Sequence, residues 1–223
     1  MSQKMFIGKG GVSMFLFRQA RADELNKVAK LFHESFKQYP FMDLLVKRGK
    51  KDRSFIFEMH KVLTKAYFKK HFCFVGIQNG EIVVAALLQH RDKPDISLID
   101  YIAAGGIKLI KIGGFSVLNM LTVANEAKKS YKSLKEPAWY LEVLGVSPSY
   151  QGKSLGSKMI NDCLIPFISK SGGGVLALIT NTDLNRSFYQ KNGFEEFSES
   201  RIRRFDHEIY NWGFKRKVLQ TYN

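Results

Sequence analysis

The chain is poor in cysteine, short of acidic residues and without a long apolar run, and each shortage narrows what it can be. Its two cysteines, Cys73 and Cys163, stand far apart in apolar surroundings and form no CxxC pair. That pattern reads as two buried thiols rather than a disulfide or a metal site, and it fits a reducing, cytoplasmic setting. No segment reaches the run of about 18 apolar residues needed to cross a bilayer. Residues 82–88 and 115–124 come nearest and are too short. The N-terminal stretch has Lys4 and Lys9 but only 12–17 as an apolar core, interrupted by Ser13, so no signal peptide is expected. No membrane partner is expected either. The five histidines share no ligand spacing, and no metal is expected. No repeat recurs and no composition break marks a linker, so 1–223 reads as one domain.

What the chain has in excess is positive charge. Its 35 Lys and Arg against 20 Asp and Glu give +15, which suits a nucleic acid, an acidic membrane surface or a polyanionic cofactor. Lysine outnumbers arginine 25 to 10, and the lysines are scattered, as at Lys27, Lys47, Lys65, Lys93, Lys108 and Lys128. A dispersed basic surface results, and a nucleic-acid partner is not favoured.

Residues 12–18 are apolar and β-prone and predict a first strand. Asp23 then starts a helix on which Leu25, Val28, Phe32 and Phe36 share a face, and Pro40 ends it. A second helix is predicted over 53–70. The runs 72–78 and 81–88 flank Asn79-Gly80, a dipeptide suited to a type I′ turn, and predict a hairpin. Residues 96–132 read as helical, cut at Gly105-Gly106 and Gly113-Gly114 into short pieces with no chemistry of their own. Pro137 introduces a β-rich run over 139–146. A turn follows, then a helix over 155–170 that Pro166 kinks or tightens. A glycine loop at 172–174 leads to a buried strand over 175–179. A helix over 184–192, closed by Gly193, and a final pair of strands from Phe194 complete the pattern. The fold class is α/β of mixed α+β character: a central mixed sheet flanked by helices, with a helical insert.

The segment SPSYQGKSLGS, residues 147–157, leaves a strand, turns through Gln151-Gly152-Lys153-Ser154-Leu155-Gly156 and enters a helix. It is not a Walker loop, because GxxxxGK[ST] is absent. It is not a Rossmann fingerprint, because Gly152 and Gly156 are wrongly spaced and no third glycine follows. It resembles the acetyl-CoA motif of the GCN5-related N-acetyltransferase (GNAT) family, Gln/Arg-x-x-Gly-x-Gly/Ala, with Ser154 at a glycine position. Upstream, Leu144-Gly145-Val146-Ser147-Pro148 resembles that family's strand end. Downstream, Asn181, Asn185, Phe188-Tyr189 and Asn192-Gly193-Phe194 resemble its second signature. The resemblance covers 139–205, the acetyl-CoA-binding core, well and the rest loosely. The phrase WYLEVLGV, residues 139–146, also looks like a subgroup that includes puromycin-type antibiotic acetyltransferases.

The resemblance implies a GNAT-like fold with acetyl-CoA as co-substrate. Its diphosphate would lie on Gln151, Gly152, Lys153, Ser154, Leu155, Gly156 and Ser157, where a helix start offers free N–H groups and a positive dipole end. Ser154 can cap the helix and donate to a phosphate, and fails only if the position needs φ > 0. Gly145 suggests a bulge or a close backbone approach, with a packing glycine as the alternative. In the family the bulge parts two strands, and the backbone of Leu144, Gly145 and Val146 binds the pantetheine arm. Asn181 and Asn185 would meet the pantetheine amides, though asparagines near a helix start are also ordinary caps. Tyr189 is the family-matched general acid for the leaving thiolate, with a core tyrosine as its rival reading. Glu142, the carboxylate of an otherwise apolar strand, is the candidate base, acting directly or through a water. It can equally bind the substrate amine or face a basic neighbour.

The implied activity is acetyl transfer from acetyl-CoA to a primary amine of a small molecule or peptide, by direct attack in a ternary complex. The acceptor is expected near 38–46 and the insert over 96–132, where Tyr39, Phe41 and Tyr101 suit a small amphipathic amine. Two other readings stay open: a CoA-binding sensor without turnover, and a basic adaptor for nucleic acid or ribosomal surfaces. Arg201, Arg203 and Arg204 alternate along a predicted edge strand, and 207–217 offers a surface for a homodimer.

Overall fold

The computed structural model describes residues 3–8, 11–46, 53–90, 92–134 and 138–221; Lys9, Lys47 and Pro137 fall outside them. The first expected strand is β2 (Gly11–Gln19), preceded by a strand that the sequence pattern does not reveal, β1 (Gln3–Gly8). Near the end of β2, the Arg18 guanidinium forks onto Glu24 at 2.7 and 2.6 Å, and Glu24 also accepts the Arg21 N–H at 2.8 Å. This anchors the turn Ala22–Glu24 that leads into α1 (Leu25–Ser35). Pro40 does not end that helix. Helix α1 stops at Ser35, and Pro40 opens a separate helix, α2 (Pro40–Leu45), because a missing N–H is tolerated in a first turn.

Helix α3 (Arg53–Lys70) turns Phe55, Met59, Val62, Ala66 and Tyr67 inward. Strands β3 (Phe72–Gln78) and β4 (Glu81–Gln89) are joined by Asn79 and Gly80 at φ 51° and 80°, the backbone a type I′ turn requires. The insert comprises α4 (Leu98–Tyr101), α5 (Ile107–Gly113), α6 (Phe115–Ala127) and α7 (Lys129–Lys132), broken where Gly105 and Gly114 take φ 115° and 49°. Buried Asn119 ties α6 to α2 by donating to the Leu44 and Leu45 carbonyls at 2.7 and 3.1 Å, groups a helix end leaves free.

After β5 (Ala138–Val146) the chain enters a continuous helix over 155–170: α8 (Leu155–Lys158), a wide turn over Met159–Leu164, and α9 (Ile165–Lys170). Pro166 has no N–H to bond back, and the helix widens ahead of it, so that the Ile165 N–H reaches the Ile160 carbonyl. Then come β6 (Gly174–Thr180), α10 (Asp183–Lys191), β7 (Glu195–Arg204) and β8 (His207–Val218).

Among the described residues, eight strands form one mixed sheet in the order β1-β2-β3-β4-β5-β6-β8-β7, parallel only between β5 and β6. Strand β8 lies between β6 and β7: of residues 207–217, read as a dimer surface, 212–215 are paired on both edges and 207–211 on the β7 side, and the outer strand at this end of the sheet is β7. Along β4, Ala85 and Leu87 pack with α1 and α3, while Val84, Ala86 and Leu88 pack with the helix over 155–170. Burial on both faces explains the unbroken apolar run of that strand. A further cluster, with Leu44, Phe55, Val62, Leu109 and Val123, fastens the insert to α2 and α3.

Candidate active site

Strand β5 has two unlike edges. It pairs with β4 from Tyr140 to Val146, but with β6 only where Ala138, Trp139 and Tyr140 meet Val175, Leu176 and Ala177. From Leu141 onward β5 and β6 part, and that side of 141–146 has no strand partner among the described residues. On the other edge the register slips: Leu87 faces Val143 and Leu88 faces Leu141, which leaves Glu142 as the extra residue. The bulge is therefore at Glu142 and not at Gly145, which pairs regularly with Ala85. Gly145 answers to the close-approach reading. A Cβ there would stand 2.7 Å from the Phe32 ring and 3.1 Å from Leu31 on α1.

Glu142 lines a cavity of about 250 Å³ beneath the insert. Its Oε2 accepts hydrogen bonds from the Tyr67 hydroxyl of α3 and from the Lys128 ammonium, just past α6. Its Oε1 has no partner among the described residues. Lys128 also sits 4.8 Å over the Tyr140 ring. Burial first, and the Glu142 charge second, push the Tyr67, Tyr101 and Tyr140 hydroxyls up, so a ring of protonated phenols surrounds the carboxylate. The sequence reading gave the insert no chemistry, and Lys128 corrects it. The available signal was the lysine that follows the apolar stretch of α6.

The cavity also brings together Tyr39 and Phe41 from the loop and helix after α1, Tyr101 from the insert, Leu144 from β5, and Asn185 and Tyr189 from α10. Tyr189 combines both of its sequence readings. Its ring packs on Phe188, Phe194 and Phe214 at 5.1, 5.5 and 6.0 Å, while the residue lines the cavity. Its hydroxyl has no hydrogen-bond partner among the described residues, and burial raises its pKa, so it is a phenol at neutral pH. The Asn185 N–H is capped by the Thr182 hydroxyl at 3.3 Å. Asn181 lines the cavity as well, and its side chain is held within the fold. Its side-chain amide donates to the Tyr210 carbonyl and to Asn211 Oδ1 at 2.8 and 3.1 Å, and its backbone N–H donates to the Tyr39 hydroxyl at 2.9 Å. It ties β6, β8 and the α1–α2 loop together, and its side-chain donors are engaged.

The turn after β5 is exposed over 151–154. Gly152 takes φ 75° with open space around it, so glycine serves the backbone there. Ser154 takes φ 58°, ψ 16° and makes no capping bond to the helix it precedes. The position does need a left-handed residue, and serine adopts it at a cost of roughly 1–2 kcal/mol. The Gln151 amide bridges back to the Val146 carbonyl at 3.1 Å, and the Lys153 ammonium reaches the Ser149 carbonyl at 3.2 Å. Gly156 admits the Phe188 ring, which a Cβ would meet at 3.1 Å, and so lets α8 lie against α10. At the helix start the first N–H groups lack intrahelical acceptors. Exposed, small-residued and basic at Lys153, the turn fits a diphosphate.

Burial pushes both thiols, Cys73 and Cys163, up to about 12, which leaves neither as a ready nucleophile. Among the described residues no group of three or more His, Cys, Asp or Glu side chains could hold a metal ion.

Residues 69–196 match the model of the acetyltransferase (GNAT) domain, more than half of the chain. The chain belongs to the GNAT acetyltransferase family and is an N-acetyltransferase by class. Solved structures agree in fold. A Corynebacterium glutamicum "histone acetyltransferase HPA2 and related acetyltransferase" superposes with a TM-score of 0.63 at 18% identity, over 94% of this chain and 98% of that one. The arylalkylamine N-acetyltransferase 2 of Aedes aegypti gives 0.62 at 14% identity, over 92% and 99%. The Drosophila melanogaster polyamine N-acetyltransferase, which forms N-acetylagmatine, gives 0.55 at 16% identity, over 92% and 100%.

Proposed function

We propose that the chain moves an acetyl group from acetyl-CoA to the primary amine of a small amphipathic acceptor. One observation carries this reading: Glu142 and Tyr189, from different elements, line a single apolar cavity at the point where β5 and β6 part. The family normally uses acetyl-CoA, and bound here it would supply an acetyl thioester. Residues 151–157 would hold the diphosphate, and the open edge at Leu144, Gly145 and Val146 would pair with the pantetheine arm as an added strand does. The Val146 carbonyl already accepts from Ser35 Oγ at 2.8 Å and from Gln151, so the edge offers the Val146 N–H instead. That N–H is suited to polarising a carbonyl.

An alkylammonium with a pKa near 10 must lose a proton before it can attack. In this reading Glu142 Oε1 takes that proton, directly or through a water. Lys128 beside it disfavours a second cation and so favours the neutral amine. Tyr189 holds a proton for the leaving sulfur, and attack is direct. Glu142 is the only carboxylate among the described residues that line the cavity, and Lys128 already neutralises it. Such a lining suits an arylalkylamine better than a polyamine, which the +15 chain would also repel.

The test is calorimetric titration with acetyl-CoA, with adenosine diphosphate as control, followed by release of CoA thiol with phenethylamine, tryptamine, spermidine and a short peptide. Micromolar acetyl-CoA binding and turnover of the aromatic amines above spermidine are the expected results. Binding with no turnover of any amine would replace this reading with a CoA sensor, and a preference for spermidine would overturn the acceptor class.

A further inference from the structure

Among the described residues, twelve large apolar side chains are exposed, and eight of them fall within 98–121 on the insert. Ile99 is 76% exposed, Phe115 74% and Leu118 64%, while Leu109 of α5 and Val123 of α6 are buried in the cluster that fastens the insert to α2 and α3. The insert is thus apolar on both sides. Its two arms, 98–113 and 115–127, are bent by 119° from a straight line, and among the described residues no single helix is long and apolar enough to cross a membrane. The carboxylates of the insert are neutralised: Asp100 by Lys70 at 2.9 Å and Glu126 by Arg204 at 2.7 Å. Lys111 lies exposed on α5 with no ion pair among the described residues.

We propose that this outer face of the insert docks the protein on an anionic lipid surface, its two arms lying in the interface. Apolar exposure concentrated in one segment marks an interaction site, and apolar faces with basic neighbours lie in lipid headgroups rather than spanning them. Charge chooses the occupant. A second copy would bring +15 against +15, whereas an anionic bilayer attracts the whole chain. The lack of a spanning helix, which led the sequence reading to exclude a membrane, bears on crossing and not on surface contact. Leu98, Ile102, Ile110 and Leu121 are exposed and also line the cavity, so its entrance opens on the docking face. Entry of an amphipathic amine from the lipid would follow, and that consequence rests on the acetyl-transfer reading; the docking does not.

The test is co-sedimentation of the full chain with phosphatidylcholine vesicles, with and without phosphatidylglycerol, alongside light scattering across protein concentration. Binding to the anionic vesicles only is expected. Lys111→Gln should weaken it about fivefold. Phe115→Glu with Leu118→Glu, neither lining the cavity, should weaken it at least ~tenfold. Ile99→Glu supplies an independent variant, and circular dichroism with acetyl-CoA titration checks that each one is folded. Failure to bind anionic vesicles would overturn the proposal. So would undiminished binding by the glutamate variants, which would leave only the basic surface at work. A concentration-dependent dimer abolished by the same variants, without vesicle binding, would assign the face to a second copy.

Discussion

Lys128 closes an ion pair with Glu142 across the boundary between the insert and the sheet, with side-chain exposures of 22% and 15%. The pair fastens the roof of the cavity to its floor. Asn211 helps to place it by donating to the carbonyl of Ala127 at 3.0 Å, one residue before the lysine.

Breaking a half-buried pair from one side leaves the other charge unmatched. Lys128→Met and Glu142→Gln should each destabilise the chain, and their two losses should sum to more than the loss in the double variant. A double-mutant cycle on urea unfolding should return a coupling of about 0.5–3 kcal/mol. Strict additivity would show that the contact does not bind insert to sheet.

Glu142→Gln and Tyr189→Phe should leave acetyl-CoA affinity within about twofold, while turnover falls on the order of 10²–10⁴-fold for a proton-transfer group. Calorimetry and steady-state kinetics on the same preparations decide this. Equal loss of binding and turnover would make the two residues structural.

Ser154→Gly should stabilise the chain, because glycine enters the left-handed region without the Cβ penalty. A net gain of about 1 kcal/mol corresponds to roughly 2–4 °C in Tm for a chain of this size. Scanning calorimetry reads it directly, and an unchanged or lowered Tm would remove the strain assigned to this turn.

Acid should weaken the fold in two windows. Burial, reinforced by His33, pushes His60 down to about 3, and burial with Lys93 pushes His71 to about 4. Unfolded, both take a proton near 6.5. The folded state therefore binds fewer protons below that pH, and stability falls from about 6.5 toward 4, by up to about 1.4 kcal/mol per pH unit for buried His60 and by less for His71. Arg18 holds Glu24 down at about 2, against an ordinary value of 4.5, so its contribution is present above 4.5 and fades as the pH drops toward 2. Tm measured against pH should lose part of the upper slope in His60→Phe and part of the lower slope in Glu24→Gln.

Local signals carried much of this structure into view. Asn79-Gly80 announced its hairpin because a type I′ turn needs positive φ at both positions, and 151–156 announced the family because the turn needs small residues before a helix. The misreadings share a non-local cause. Whether Gly145 or Glu142 bulges depends on how β5 registers with β4, and strand register is not written in either strand alone. Pro40 punctuates either a helix end or a helix start, and the α1–α2 loop decided between them. The partners that hold the Asn181 amide, Tyr210 and Asn211, lie on β8, and no pattern in the sequence inserts β8 beside β6. Lys128 was one lysine of 25 until the fold set it against Glu142.

The three-residue ladder between β5 and β6 has a mechanical meaning. Five strands on one side and three on the other are joined along the sheet by that short seam alone. Backbone amides at the seam should exchange with solvent sooner than those deep in β4, because so short a ladder opens at little cost. The sheet therefore works as two leaves on a narrow spine, and its natural line of give runs into the crevice assigned to the coenzyme.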